Sequence, residues 1–196
     1  MEFDVSIGEE LWHALVESAD AMARSDVEYA LIGGIATGLR SQPRFTKDVD
    51  FLLHVPQLVL PVLLGDLQAR GFAFDLSATI HDWNRHHMVV LFYKGLRVDW
   101  LKPMLPIYQH VLDVASDEIL GGRPVRVASI EGLVLLKLLA FRNQDLVDIE
   151  NLIAASVGKI DLGWIRREWQ TVAQIDDPRM LQFEKMILSQ PPESAD

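Results

Sequence analysis

Two aspartates one residue apart, Asp48 and Asp50, head the apolar run Val49, Phe51, Leu52, Leu53. Read as a strand, Asp48 to His54 turns alternate residues to one face, so the two carboxylates share a side while Val49 and Phe51 face the opposite layer. Their side chains start roughly 6–7 Å apart, twice the strand rise. Carboxylates at that spacing repel unless they converge on a hard cation. Mg²⁺ suits them, since it takes oxygen ligands and is usually held by one or two carboxylates plus substrate phosphates. The plainer reading of an isolated Asp-x-Asp is that Asp48 caps a turn and Asp50 is solvated. A third acid, Asp99, interrupts the strand-like Leu96-Arg97-Val98-Asp99-Trp100-Leu101. If that strand lies beside Asp48 to His54, Asp99 joins the pair; otherwise it is a solvent-facing residue paired with an arginine.

Other residues supply groups for a phosphate. Leu31-Ile32-Gly33-Gly34-Ile35-Ala36 reads as a strand entering a helix through two glycines. That arrangement lets an anion approach the backbone and meet free helix N–H groups. No Gly-Lys-Ser/Thr follows and no Gly-x-Gly-x-x-Gly is present, so the element is neither a Walker A loop nor a dinucleotide fingerprint. Arg44 and Thr46 precede the acidic strand, where the arginine can neutralise a phosphate and the threonine can hold an oxygen or orient Asp48. Lys137 is the only charge between Leu133 and Phe141. A cation in so apolar a run needs a partner or an escape to water.

The elements that must position these residues follow from periodicity. Ser6 and Glu9 form a capping-box pattern, followed by helical spacing of Leu11, Trp12, Leu15, Val16, Ala19, Met22 and Ala23. Tyr29 to Ile32 is a short buried strand, and a short helix runs from the glycines to about Leu39. Leu58 to Arg70 is a helix ending at Gly71, and Phe72 to Phe74 is a short strand. His87 to Tyr93 and Leu96 to Leu101 form a hairpin turning at Lys94-Gly95. A smaller hairpin joins Glu118–Leu120 to Val125–Val127. From Ser129, a suitable N-cap, the chain is helical: about 130–142, 145–156, 162–173 and 178–188. The stretch containing His81, Trp83, Arg85, His86 and His87 reads as a loop and hairpin edge that lines an acceptor pocket at most, since no second ligand group gives it zinc spacing. Trp12, Trp164 and Trp169 fall on helical faces and belong to the core. The fold class is α+β, a mixed sheet flanked by helices with a helical C-terminal part.

The chain has 196 residues, with 49% hydrophobic and 23% charged residues, the balance of a globular protein. It has no cysteine, which excludes disulfides, zinc thiolates and cysteine nucleophiles. The N-terminus carries no signal-peptide pattern and no apolar run spans a bilayer, so a cytoplasmic location without membrane contact is expected. A net charge of −10 disfavours duplex DNA, whose backbone needs clustered lysine and arginine.

Together these elements resemble the DNA polymerase beta-like nucleotidyltransferase superfamily. That superfamily has a hydrophobic-Gly-Gly/Ser element, an acid-hydrophobic-acid strand and a third acid on a neighbouring strand. Here Gly33-Gly34, thirteen further residues, Asp48-Val49-Asp50 and then Asp99 reproduce that order. Arg44, Thr46, Asp48 and Asp50 are similar to the Arg-x-Thr-x-Asp-x-Asp pattern of small abortive-infection, toxin–antitoxin type members. Lys137, Arg142, Asp145 and Asp148 resemble the Lys…Arg-x-x-Asp-x-x-Asp helix pair of the same relatives. For Arg142 a helix-terminal charge role is an equal alternative, Asp145 as a mere cap and Asp148 as a mere partner of an arginine.

The resemblance implies catalytic and metal-binding Asp48, Asp50 and Asp99 with two Mg²⁺ ions, Mn²⁺ substituting. It implies nucleotide contacts from Gly33, Gly34, Arg44, Thr46, Lys137 and Arg142. The implied activity is transfer of an NMP from an NTP, ATP among them, to a small molecule, a protein side chain or an RNA 3′ end, with release of pyrophosphate. A toxin–antitoxin or phage-defence setting would add a cognate antitoxin. The alternative is a non-catalytic nucleotide- or partner-binding module on the same fold. On this reading residues 1–128 are the catalytic domain, 129–190 the helical part and 191–196 a disordered tail.

Overall fold

The computed structural model describes residues 8–189. The expected capping position Ser6 and the tail from residue 190 lie outside the described residues. The chain runs α1 (Glu9–Arg24), β1 (Glu28–Ile32), α2 (Gly33–Arg40), β2 (Asp48–His54), α3 (Leu60–Ala69), β3 (Phe72–Ala73), α4 (Leu76–His86), β4 (Met88–Tyr93) and β5 (Leu96–Leu101). It continues through α5 (Pro106–Asp113), β6 (Ser116–Leu120), β7 (Arg123–Val127), α6 (Ile130–Ala140), α7 (Asn143–Ala155), α8 (Leu162–Trp169) and α9 (Pro178–Leu188).

Seven strands form one mixed sheet in the order β3-β4-β5-β2-β1-β7-β6. β2 sits in the middle, antiparallel to β1 and parallel to β5. Its register against β5 pairs Asp48 with Arg97 and Asp50 with Asp99, so the expected adjacency of the two acidic strands is present. Alternation is clean along β5 and over Asp48 to Phe51 of β2, after which Leu52 and Leu53 are both buried. Val49, Phe51, Val98 and Trp100 are fully buried on one face, while Asp48, Asp50 and Asp99 stand on the other. β4 and β5 form the expected hairpin, with Lys94 at φ 49° and Gly95 at φ 85° in the turn. β6 and β7 form the second.

The helices of the last third belong to the same apolar cluster as the sheet. Leu133, Leu135, Leu138, Ile149, Ile165, Trp169 and Phe183 are buried in it beside Leu31 and Phe51. α6 is its centre, packed against α2, α5, α7, α8 and α9. Trp169 is fully buried, and Trp12 and Trp164 pack against the cluster from partly exposed positions.

Three segments differ from the sequence reading. Residues 76–86 are helix α4, where the stretch from His81 to His87 reads in the sequence as loop and hairpin edge: Asp75 accepts from the Ala78 N–H as an N-cap, and Thr79 and Trp83, one turn apart, are buried. The clustered histidines hid that spacing, and His81 and His86 project to solvent around Asp82. Residues 106–113, left unassigned, are α5, opened by Pro106 and anchored by Ile107 and Val111. The helix expected to reach Arg142 stops at Ala140, because Phe141 adopts a left-handed φ of 50° and turns the chain into α7.

No helix among the described residues is long and apolar enough to cross a membrane.

Candidate active site

β1 delivers the chain to Gly33, and β2 delivers Asp50 against it. Gly33 has φ +64°, and a Cβ there would lie 1.9 Å from an Asp50 carboxylate oxygen. A Cβ on Gly34 would lie 2.6 Å from the Thr46 hydroxyl and 3.0 Å from the Arg44 guanidinium. The two glycines are thus needed for close approach. Thr37, one turn on, returns its hydroxyl to the Gly33 carbonyl at 2.7 Å. Thr46 donates to Asp48 Oδ1 at 2.8 Å, the orienting contact read from its spacing.

Asp48, Asp50 and Asp99 converge, each offering a carboxylate oxygen within 4.8 Å of the others. Burial, then the Asp48 and Asp99 charges, push the Asp50 carboxyl up to about 7, against the pull of the Gly34 N–H and Lys137. Among the described residues one cation touches the trio directly. Arg97 Nε donates to Asp99 Oδ1 at 2.6 Å, an arginine contact the sequence left open as the plainer role of Asp99. Three crowded acids with one arginine form a donor set that fits a divalent cation with oxygen preference.

Lys137 does not snorkel. It is 6% exposed, and its Nζ donates to Asp148 Oδ2 at 2.6 Å, with Asp145 Oδ1 3.7 Å away. Asp148, fully buried, also accepts from Arg44 Nη2 at 3.1 Å and Gln144 Nε2 at 3.1 Å. Arg44 Nε lies 3.0 Å from Asp148 Oδ1 but is misaligned for a hydrogen bond, so that contact is Coulombic. Asp145 accepts from the Arg142 N–H at 3.0 Å and from its Nε at 2.8 Å. Burial opposes ionisation of Asp145, but the two Arg142 bonds and Lys137 hold its pKa below the ordinary carboxylate value. Arg142 itself keeps a side chain that is 77% exposed.

Both clusters open on a cleft of about 670 Å³. All nine residues singled out from the sequence line it, and the three histidines at 81, 86 and 87 do not. Sequence reasoning passed over Met88, Arg97 and Tyr108, which also line it. For Arg97 a signal existed, since it stands two residues from Asp99 and therefore on the same strand face.

The fold recurs in solved structures of low sequence identity. An antigenic nucleotidyltransferase-like protein from Paracoccidioides brasiliensis superposes with a TM-score of 0.52 at 19% identity, covering 90% of this chain and 93% of that one. The antibiotic-resistance factor ANT(2″)-Ia does so with 0.54 at 13% identity, over 82% and 91%. Its complex with adenylyl-2″-tobramycin gives 0.55 at 13%, over 82% and 97%. Among curated proteins none matches the sequence. A family model described as "Nucleotidyl transferase of unknown function (DUF2204)" matches residues 12–183. The chain, with its acid-paired central strand seated on two glycines, belongs to that nucleotidyl transferase family.

Proposed function

We propose that the protein is an active, Mg²⁺-dependent nucleotidyltransferase that moves an NMP from an NTP to a hydroxyl acceptor with release of pyrophosphate. The observation that carries this reading is the convergence of Asp48, Asp50 and Asp99 within 4.8 Å of one another. Asp48 and Asp50 would hold two ions jointly, and Asp99 the one nearer the acceptor. When bound, Mg²⁺ (or Mn²⁺) neutralises phosphate charge and lowers the pKa of the attacking hydroxyl.

The chain's own residues do the rest. Thr46 fixes the rotamer of Asp48. Gly33 and Gly34 bring Asp50 against the backbone with no side chain in between. Asp99 takes the acceptor's proton, while Arg97 holds one of its oxygens. The acceptor oxygen bonds to the α-phosphorus as the α–β bridging P–O bond breaks, and pyrophosphate leaves with the electron pair. Exposed Arg142 faces the cleft to pair with phosphate oxygens. Lys137 and Arg44 act behind it by setting the positive potential of that wall from their bonds to Asp148.

The Arg44-Phe45-Thr46-Lys47-Asp48-Val49-Asp50 pattern favours a toxin–antitoxin or phage-defence setting. The solved relative of the same fold in complex with adenylyl-2″-tobramycin favours a small-molecule acceptor. The test is incubation with each α-labelled NTP, Mg²⁺ and a cell extract, following labelled acceptor and pyrophosphate. Transfer that disappears in the double variant Asp48→Asn, Asp50→Asn supports the reading. Transfer that survives it sinks the site, and nucleotide binding with no turnover by the wild type replaces it with the binding-module alternative.

A further inference from the structure

The place and character of the acceptor rest on the transferase reading. The sheet face carrying the carboxylates continues outward onto β4. Register sets Val90 opposite Asp99, Phe92 opposite Arg97 and Met88 opposite Leu101, so Met88, Val90 and Phe92 share the carboxylate face. The alternate residues Val89, Leu91 and Tyr93 are buried on the other face, where α4 packs and Trp83 meets Trp100 edge to face. On the carboxylate side Met88 is 46% and Phe92 45% exposed. Directly opposed residues have Cβ atoms about 4.5–5.5 Å apart, so Val90 is the first residue met on leaving Asp99 outward. From Met88 to Phe92 the strip runs roughly 14 Å, four steps of strand rise.

An acceptor hydroxyl has to reach Asp99, and the directions open to its body differ in chemistry. Toward Gly33, Gly34, Arg44 and Thr46 lie the backbone and cation that suit the triphosphate. Toward α6 and α7 the cleft is lined by Leu136, Lys137 and Arg142, the cationic side that suits phosphate. Outward, over β4, Met88, Val90 and Phe92 are apolar, and Arg97, which pairs with Phe92, is tied to Asp99. Scattered exposed apolar side chains are ordinary, but Met88, Val90 and Phe92 follow one another on one face in register with a reacting carboxylate, Met88 lining the cleft and the half-buried Val90 and exposed Phe92 continuing the strip beyond it. The cleft's volume, about 670 Å³, is that of a small-molecule site.

We propose that Met88, Val90 and Phe92 form the acceptor shelf, and that the acceptor is a small, uncharged hydroxyl compound with an apolar, ring-sized face beside the reacting hydroxyl. The oxygen of that hydroxyl bonds to the α-phosphorus, its proton passes to Asp99 and pyrophosphate departs.

Benzyl alcohol and ethanol, supplied at equal concentration with labelled ATP and Mg²⁺, probe the shelf with the same functional group. The ratio of benzyl-AMP to ethyl-AMP is expected to be at least tenfold for the wild type. It should fall about three- to tenfold in Phe92→Ser and again in Met88→Ser, whatever the overall rate. A wild-type ratio near one, or a ratio unmoved by both variants, overturns the proposal. If the wild type consumes no ATP, the transferase reading fails separately and the shelf is judged by binding. With methyl-labelled methionine, of which the chain has six, the Met88 resonance is identified by its loss in Met88→Leu. It should shift with benzyl alcohol and not ethanol, and cease to shift in Phe92→Ser; no shift overturns the shelf. A dimer in sedimentation that Phe92→Asp dissociates also overturns it, by showing that a second copy covers the strip.

Discussion

Five aspartates around the cleft fall into two groups with opposite electrostatics. Asp145 and Asp148 are met by Lys137, Arg44 and Arg142, and every one of those cations is within 3.1 Å of one of the two acids. Asp48, Asp50 and Asp99 share one arginine among them. The closed group sets three cations on two acids, which leaves that wall net positive, and ties α6, α7 and the loop before β2 together. The open group stores repulsion, visible in the Asp50 carboxyl pushed up to about 7 by burial and its two neighbours. Residue type does not separate the two groups of acids here. The number of cations in direct contact does, and removing an acid should have opposite consequences in the two groups.

The largest expected effect is on turnover. If Asp50 holds the metal as proposed, Asp50→Asn should lower NMP transfer at least 10³-fold, about 4 kcal/mol of transition-state stabilisation. Stability should move the other way. Asp50 has a raised folded-state pKa, so its contribution favours the fold below the unfolded value near 3.8 and is lost as pH rises through about 7. At pH 8 without metal, the asparagine variant should therefore melt higher than the wild type, and the gap should shrink by pH 5. Thermal melts at the two pH values decide it. A variant that melts lower at pH 8 breaks the comparison.

Asp148→Asn is the counterpart. It leaves Lys137 buried with a weaker partner and frees Arg44 from its anchor. Breaking a buried pair on one side costs about 3–5 kcal/mol, and the amide's retained hydrogen bonds place this variant near the low end. Urea unfolding should show a shifted midpoint with an unchanged slope. A loss under about 1 kcal/mol would mean that the closed group is not what holds the two helices to the sheet.

The acid strand, its alternation, the glycine pair and the hairpin carrying Asp99 were legible in the sequence, because each is a local pattern of period two or a turn. The pairing of β2 with β5 was readable only as a condition, and the register of Asp50 on Asp99 met it. Arg44's bond to Asp148 spans 104 residues and no local signal encodes it. Lys137 announced a need for a partner without naming it, and the partner lies eleven residues on, past a helix break at Phe141. α4 was lost because polar, chemistry-bearing types at 81–87 drew attention from the one-turn spacing of Thr79 and Trp83.

A smaller effect separates the groups by their protons. Metal binding to the open group must displace the proton that Asp50 holds below about pH 7. Mn²⁺ affinity should then be about tenfold weaker at pH 6 than at pH 8. Calorimetry in two buffers of different ionisation enthalpy should count close to one proton released at pH 6 and almost none at pH 8. Asp145, whose pKa is held below the ordinary value, adds nothing to that count over the same range. A pH-independent affinity would show that the three carboxylates do not bind the ion as a set.

The smallest expected effect concerns the residue between the groups. Arg142 belongs to the closed group by its bonds to Asp145, yet most of its side chain faces solvent in the cleft. With the guanidinium end of the pair in solvent, its attraction to buried Asp145 is screened to about 1 kcal/mol, and the backbone N–H that caps α7 on Asp145 survives truncation. Arg142→Ala should therefore shift the melting temperature little. If the guanidinium serves the triphosphate, the same variant should raise the KM for NTP about three- to tenfold and change kcat less, the pattern of a lost binding contact. Asp145→Ala removes the cap and a Lys137 contact together, so it should destabilise more than Arg142→Ala. Should the two variants lose the same stability with KM untouched, Arg142 is a structural member of the closed group and the phosphate side of the cleft rests on the backbone at Gly33 and Gly34 alone.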